Sequence, residues 1–312
     1  MVNNGSVVVG DSPSRRRRYR AYRKYRRSTS ALFLSPTLVV IGVFTVIPLI
    51  MTIVISLHRW SMFTPITQMD FVGFANYARV LTDSTRLQAA QNTLVYVGLS
   101  LLITLPLAVF ISMLLYFPKL RGQGILRTIL FATYVIPTIA IVIVFSNLYA
   151  PNYGPLAAMI SGLGLPAPGL LSDPNQALLC LVVFNVWQML GYYIILLVAG
   201  LTQIPSDLFE AASLDGAGQI RKTVHITLPL LRRTMAFVAL MTVINSIQVF
   251  DPIYLLTTGG PAGSTTVLSF EIQRQAFQYG LAGDASALAV VMLGFVTFIG
   301  GVLAIIMRRR AV

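Results

Sequence analysis

Charge is what this chain has least of. Only 11% of its 312 residues are Asp, Glu, Lys or Arg, where a soluble globular domain carries roughly 25%. With 56% hydrophobic residues and a mean hydropathy of +0.76, that deficit excludes an ordinary soluble domain, and it excludes a disordered chain as well. Acidic residues are the scarcest: ten Asp and Glu stand against 23 Lys and Arg, for a net charge of +13. Cysteine is almost missing. Cys180 is alone in an apolar run, so no disulfide within the chain and no cysteine-based metal site can form; it reads as a small buried apolar side chain. The two histidines, His58 and His225, are too far apart in sequence to suggest a zinc-type spacing. There is no Gly-Lys dipeptide, and therefore no phosphate-binding loop of the G-x-x-x-x-G-K-[ST] type. If this chain transports something against a gradient, a partner supplies the energy.

What is present is a series of long apolar runs. Ala31–Leu57 carries no acidic or Lys/Arg residue up to its end. It is too long for a signal-peptide core and lacks a small-residue cleavage site after it, so it is read as a first membrane span, which needs about 20 residues. Five more spans are expected near Asn92–Phe117, Ile125–Ala150, Ala177–Leu201, Thr234–Leu256 and Ser286–Met307. Pro36, Pro48, Pro106 and Pro137 lie inside these runs, where neighbouring helices can repair the lost hydrogen bond. Short interfacial pieces are expected at Asn76–Arg86 and Pro155–Leu163. The expected fold is an all-α polytopic membrane domain of six helices over residues 31–310, preceded by a basic arm at 1–30.

The charges sort by side. With the N-terminus in the cytoplasm, 19 of the Lys and Arg fall inside: nine between Arg15 and Arg27, then Lys119, Arg121, Arg127, Arg221, Lys222, Arg232, Arg233 and Arg308–Arg310. Four fall outside: Arg59, Arg79, Arg86 and Arg274. This is the positive-inside pattern for a multi-pass protein of the bacterial cytoplasmic membrane with both ends cytoplasmic. It turns the net charge into a statement about topology rather than about nucleic acid. A basic arm abutting a span is an orientation signal that also rests on anionic lipid headgroups, at ~1 kcal/mol per residue near the surface, and Tyr19, Tyr22 and Tyr25 suit that interface.

Inside the spans, ionisable residues are limited to Arg127 and Asp251, both at run ends. Ion-coupled carriers place such residues within the membrane, and acid–base or metal-assisted catalysis needs them too. A secondary transporter and a membrane enzyme are both disfavoured, and no catalytic residue is assigned.

The most specific segment is the loop at 205–229, between the fourth and fifth apolar runs. It reads as a short helix, a glycine break and a second short helix. Pro205 and Asp207 favour a helix start, with Asp207 and Glu210 at the spacing of a capping pair. Gly216 and Gly218 permit a sharp turn, and Pro229 either ends the second piece or opens span five. Ala211, Ala212, Gly216 and Ala217 leave room for another protein's surface. The segment Glu210-Ala211-Ala212-x3-Gly216-x9-Ile226-x-Leu228-Pro229 resembles the EAA loop of binding-protein-dependent ABC importer permeases, matching each fixed position. The resemblance implies a type I importer permease (MetI-like) fold and a coupling helix docked on an ATPase subunit, carried by Glu210, Ala211, Ala212, Asp215, Gly216, Ile226, Leu228 and Pro229. Glu210 would pair with a basic group on that subunit, and Gly216 would set the angle between the two helices.

Three further segments are similar to one branch of that family, the maltose/glycerol-3-phosphate-type sugar permeases: Phe71-Val72-Gly73-Phe74-Ala75-Asn76-Tyr77, Gly259-Gly260-Pro261, and Tyr279-Gly280 with Gly283, Ala285, Ser286 and Ala287. The Gly-Gly-Pro feature is similar to the MalF/UgpA-like member of the permease pair. The resemblance spans roughly residues 30–310; the basic arm departs from it. It implies a second permease subunit forming a heterodimer, two copies of an ATP-binding subunit that hold ATP and magnesium, and an extracytoplasmic solute-binding protein. This chain itself is expected to hold no cofactor and to be non-catalytic.

Two polar stripes flank the coupling loop. Asn185, Gln188, Met189 and Tyr192 share one helical face, and Thr242, Asn245, Ser246 and Val249 repeat the spacing, with Gln248 beside them. Uncharged amides, hydroxyls and an aromatic ring suit a sugar passed by alternating access. The same residues also suit interhelical hydrogen bonds, worth ~0.6 kcal/mol each in a membrane bundle. A glycerol-3-phosphate, glycerophosphodiester or other polyol cargo is the alternative, and a phosphorylated one would want a cation in the stripes. Asp251-Pro252 reads as a helix-end pair or as part of an outer gate. Gly259–Ser264 and Asn152–Pro168 read as docking surfaces for the binding protein or as tight loops.

Overall fold

A computed structural model describes residues 33–116, 122–151, 153–164, 166 and 168–309. The basic arm at 1–30, Lys119, Arg121 and Arg310 lie outside the described residues. The chain divides into two compact units, residues 1–54 and 55–312.

In the first unit the described residues belong to helix α1 (Phe33–Ser56), whose most apolar stretch is not buried against protein at all. A helix that is apolar all round and uncovered matches a membrane span. Its turn at Gly42–Val46 is widened to a π-helix, Ile47 N–H bonding Gly42 O, just before Pro48.

In the second unit, β1 (His58–Arg59) pairs antiparallel with β2 (Asp70–Phe71). Helix α2 (Ala75–Thr82) follows, then α3 (Ser84–Tyr116), α4 (Gln123–Val135), α5 (Thr138–Leu148), α6 (Pro155–Gly162), α7 (Ala177–Leu201), α8 (Ser206–Leu214), α9 (Gln219–Ile247), α10 (Asp251–Leu256), α11 (Leu268–Gln273) and α12 (Ala282–Arg309). Among the described residues five helices are long and apolar enough to cross a membrane, or six if the bent pair α4–α5 counts as one span.

The core is built on α7, which packs against α3, α4 and α9. At one end Ala108, Val109 and Leu115 of α3 meet Tyr193, Ile194, Leu197 and Leu201 of α7 and Leu231 and Val238 of α9. At the other end Tyr96 of α3 joins Leu181, Val182 and Val186 of α7 with Ile253 and Phe270. Helix α7 is the most buried span because it is the one the others wrap. Gly191 makes this possible: a Cβ there would sit 1.8 Å from Leu130 O of α4.

Four expectations need correction. The third span is not one helix but α4 and α5, bent by 95°. Pro137 has no N–H to give, and its ring forces the preceding Ile136 into extended backbone (ψ 132°). Pro106 sits within an unbroken α3, so proline breaks a span only where the packing lets it. The fifth span ends at Ile247; Gln248–Phe250 break the helix, and Asp251 opens the separate α10 with Pro252 in its first turn. That is the helix-end role for Asp251-Pro252. The second helix of the coupling loop is not a separate short piece but the beginning of α9, which runs 29 residues through Pro229 into the fifth span. It does so through a second π-helical turn at Thr223–Thr227, Leu228 N–H bonding Thr223 O. Finally, α8 begins at Ser206 with no side-chain cap, so Asp207 and Glu210 do not form the capping pair.

Candidate functional site

The coupling loop is an exposed hairpin of α8 and the first turns of α9. Helix α8 ends where Asp215 N–H bonds Ala211 O, Gly216 N–H bonds Ser213 O and Ala217 N–H bonds Ala212 O. Gly216 has φ +74° with open space around it, so glycine is required there by backbone conformation and not by crowding. Gly218 is extended (ψ 167°) and starts α9. Lys222 Nζ donates to Ser213 Oγ at 2.5 Å, joining the two helices across the turn.

The hairpin is anchored by Phe209 and Leu228, which pack on the α3–α7–α9 core. Glu210, Ala211, Asp215, Gly216 and Pro229 are exposed; Ala212, Ile226 and Leu228 are half-buried. Leu214 and Ile220, which the sequence reading did not single out, are 90% and 82% exposed. Two large aliphatic side chains thus stand exposed on the same hairpin as Glu210. Their signal was available, because apolar residues in an otherwise polar loop have no core to fill.

The two polar stripes meet differently. Asn185, Gln188, Thr242, Ser246 and Val249 are buried within this chain, Met189, Tyr192 and Asn245 are half-buried, and Gln248 is exposed. Gln188 Nε2 donates to Thr138 Oγ1 at 2.9 Å, at the start of α5, and Thr133 Oγ1 donates to Gln188 O at 3.3 Å. Asn245 Nδ2 donates to Tyr193 Oη at 3.0 Å, tying α9 to α7. Thr242 bonds back to Val238 O of its own helix, while Ser246 Oγ is buried without a partner. Tyr192 stacks on Tyr134, ring centroids 4.7 Å apart, and lies beside Tyr193. Tyr134, 40% exposed on α4, completes an aromatic face that the stripes alone did not show.

At the opposite ends of the spans the three branch-specific segments prove to be one assembly. Asn76 Nδ2 donates to Ser56 O and His58 O at 2.7 and 2.9 Å, and Asn76 Oδ1 accepts from Arg79. Arg79 and Arg86 both bind Asp284, each at 2.7 Å, through different carboxylate oxygens. Gly283 lies so close to His58 O that a Cβ would fall 2.2 Å from it. The Gly-Gly-Pro loop is held from α3: Asn92 Nδ2 donates to Gly263 O and Thr266 O, both at 2.9 Å, and Thr93 Oγ1 accepts from Leu268 N–H. Arg274 pairs with fully buried Glu271 at 2.5 Å. Three of the four arginines assigned outside thus pair with an acidic residue, Arg79 and Arg86 sharing the one carboxylate of Asp284. No group of three or more His, Cys, Asp or Glu able to hold a metal occurs among the described residues.

A bundle of apolar spans carrying an exposed helical hairpin and an uncharged polar interior defines a membrane permease component. The family model for the inner membrane component of binding-protein-dependent transport systems matches residues 104–312, and the chain belongs to that family. It is 35% identical over 266 residues to the trehalose/maltose transport system permease protein MalF of Thermococcus litoralis, covering 84% of this chain and 86% of that one. It is 34% identical, again over 266 residues, to the probable ABC transporter permease protein YurN of Bacillus subtilis, with 84% and 90% covered. The fold superposes with a TM-score of 0.80, at 23% identity, on a chain of a bacterial ABC transporter that imports the acidic polysaccharide alginate, covering 94% of this chain and all of that one. The chain accordingly has the type I ABC importer permease (MetI-like) fold.

Proposed function

We propose that this chain is one of two different permease subunits of an ATP-driven importer and passes a neutral saccharide from an extracytoplasmic solute-binding protein into the cell by alternating access. The observation that carries the cargo class is the chemistry of the α7–α9 region. It offers amides, hydroxyls and the Tyr134–Tyr192–Tyr193 rings, and no Asp, Glu, Lys, Arg or His among the stripe residues. Such groups exchange hydrogen bonds with sugar hydroxyls and stack on a pyranose face, while leaving an anion without a counter-charge. The names of relatives fit this reading: trehalose/maltose for one, lactose for another that is 29% identical.

In this reading the chain is non-catalytic. ATP and magnesium belong to two copies of an ATP-binding subunit, whose closure acts on the Glu210–Pro229 hairpin. The N- and C-termini lie in the cytoplasm, and the Arg79–Asp284 assembly faces out. The test is reconstitution of the whole transporter in liposomes with its binding protein, following uptake of labelled maltose, trehalose and glycerol 3-phosphate. Uptake of a neutral sugar that requires ATP inside is expected. Uptake restricted to glycerol 3-phosphate, or driven by an ion gradient without ATP, would overturn the reading.

A further inference from the structure

Where the first span ends and α12 begins, Arg59, Trp60, Asn76, Arg79 and Asp284 line a cavity of about 330 Å³. Its hydrogen-bonding inventory is lopsided. Asn76 has spent both amide protons on Ser56 O and His58 O and its oxygen on Arg79. Both oxygens of Asp284 are taken by Arg79 and Arg86. The Trp60 indole N–H is given to Thr64 O. What remains at the cavity and just behind it are donors. Arg59 is exposed and forms no ion pair with Asp70, its neighbour across the strand pair. Arg79 is 42% exposed. Arg86 is 6% exposed, yet its Nε and Nη1 have no partner. Arg79 and Arg86 share the single carboxylate of Asp284, and Arg59 holds no ion pair. A buried cation in excess is costly unless an anion meets it, and a site with free donors and spent acceptors selects a ligand that only accepts.

The setting narrows the anion. The cavity lies immediately beyond Ser56, the last residue of a span, and at the first turn of another, which is headgroup depth. Trp60 beside arginine is the pairing found at membrane interfaces. Guanidinium forks match the tetrahedral oxygens of a phosphodiester. We propose that this cavity binds the phosphate of an anionic phospholipid headgroup, locking the β1–β2 pair against the start of α12.

The experiment uses the full transporter, purified in detergent and delipidated, then titrated with phosphatidylglycerol or with monogalactosyldiacylglycerol and followed by native mass spectrometry. The site is expected to retain phosphatidylglycerol and not the galactolipid, and millimolar inorganic phosphate is expected to compete. Arg59→Gln removes a cavity arginine that holds no ion pair, so the fold is left intact; lipid affinity is expected to fall about tenfold. Equal retention of the two lipids overturns the proposal, as does unchanged affinity in R59Q. So does occupancy by free phosphate where phosphatidylglycerol does not bind, or loss of binding-protein association in R59Q with lipid binding unaltered. The lipid comparison on the unmodified protein decides the matter even if a variant fails to assemble.

Discussion

Gly191→Ala tests whether the bundle is held by a backbone-to-backbone crossing. The added Cβ would lie 1.8 Å from Leu130 O, 2.4 Å from Leu130 C and 2.9 Å from Phe131 N. All three are main-chain atoms, so no rotamer change relieves the clash. To reach even a tight 3.0 Å contact, α4 and α7 must separate by about 1.2 Å, taking 1.8 Å from 3.0 Å. Overpacking of this kind costs ~1–3 kcal/mol. The same displacement loosens the Tyr134–Tyr192 stack at 4.7 Å, worth ~0.5–1.5 kcal/mol, and stretches the Thr133 to Gln188 O bond, already 3.3 Å. The expected loss is about 2–4 kcal/mol. Thermal unfolding of the purified protein in detergent provides the assay, with Gly98→Ala and Gly294→Ala as controls. Both are helical glycines with nothing within 4 Å, where alanine should be neutral or stabilise by up to ~1 kcal/mol. Adding Leu130→Ala to G191A should rescue nothing, because the obstacle is the Leu130 carbonyl. A G191A protein as stable as the controls, or one restored by Leu130→Ala, would refute the reasoning.

Further outcomes are expected at the other sites. Asp284→Asn strips the anion shared by Arg79 and Arg86; with Arg86 and Asp284 both buried, a loss of ~3–5 kcal/mol is expected, visible as a lowered unfolding temperature and faster proteolysis. At Gly216 the φ of +74° with free space makes Ala cost only the backbone term of ~1–2 kcal/mol and Asn less, so transport by the assembled complex should rank Gly, Asn, Ala, then Pro; an Ala variant matching Gly would show that the turn angle is not needed. Glu210→Lys reverses an exposed charge and should leave membrane insertion intact while uncoupling ATPase activity from uptake; normal coupling would remove Glu210 from the docking surface. Deleting Val224 narrows the π-helical turn to an ordinary α-turn, so that the ring of Pro229 crowds the carbonyl four residues back, and should impair uptake without preventing insertion; unaltered uptake would show that the widened turn is not needed.

Much of this architecture was readable from the sequence. The α7 boundaries, the coupling turn at Gly216 and the apolar spans follow from uninterrupted hydrophobicity and local turn chemistry, which act within a few residues. Proline was not readable in the same way. Pro106 leaves α3 unbroken, Pro137 bends α4 and α5 by 95°, and Pro48 and Pro229 sit just after π-helical turns. The outcome depends on which neighbours repair the backbone, and that is tertiary information. The charged assembly was hidden for the same reason. Arg79 and Asp284 are 205 residues apart, and nothing local announces that Phe71–Tyr77 and Tyr279–Ala287 pack together. The missing clue was stoichiometric: four arginines assigned to one side of a membrane call for anions, and Asp284 and Glu271 were there to meet three of them.

The two proline-bearing π-helical turns share a geometry that bears on how the permease moves. In α1 the turn spans Gly42–Val46 with Pro48 two residues on; in α9 it spans Thr223–Thr227 with Pro229 two residues on. A proline denies its N–H to the preceding turn and crowds the carbonyl four residues back. Widening that turn by one residue lets the helix pass the proline without breaking, at the cost of a weaker segment. In α9 this weaker segment falls between the coupling end at Gln219 and the polar face at Asn245, about 39 Å apart along a continuous helix. If the hairpin is where the ATPase pushes, α9 transmits the push as a lever rather than through a loop, and Thr223–Thr227 is the one place along it where hydrogen bonding is already relaxed. The joint then belongs near the coupling surface, leaving the Asn245–Tyr193 contact to move as part of a rigid helix.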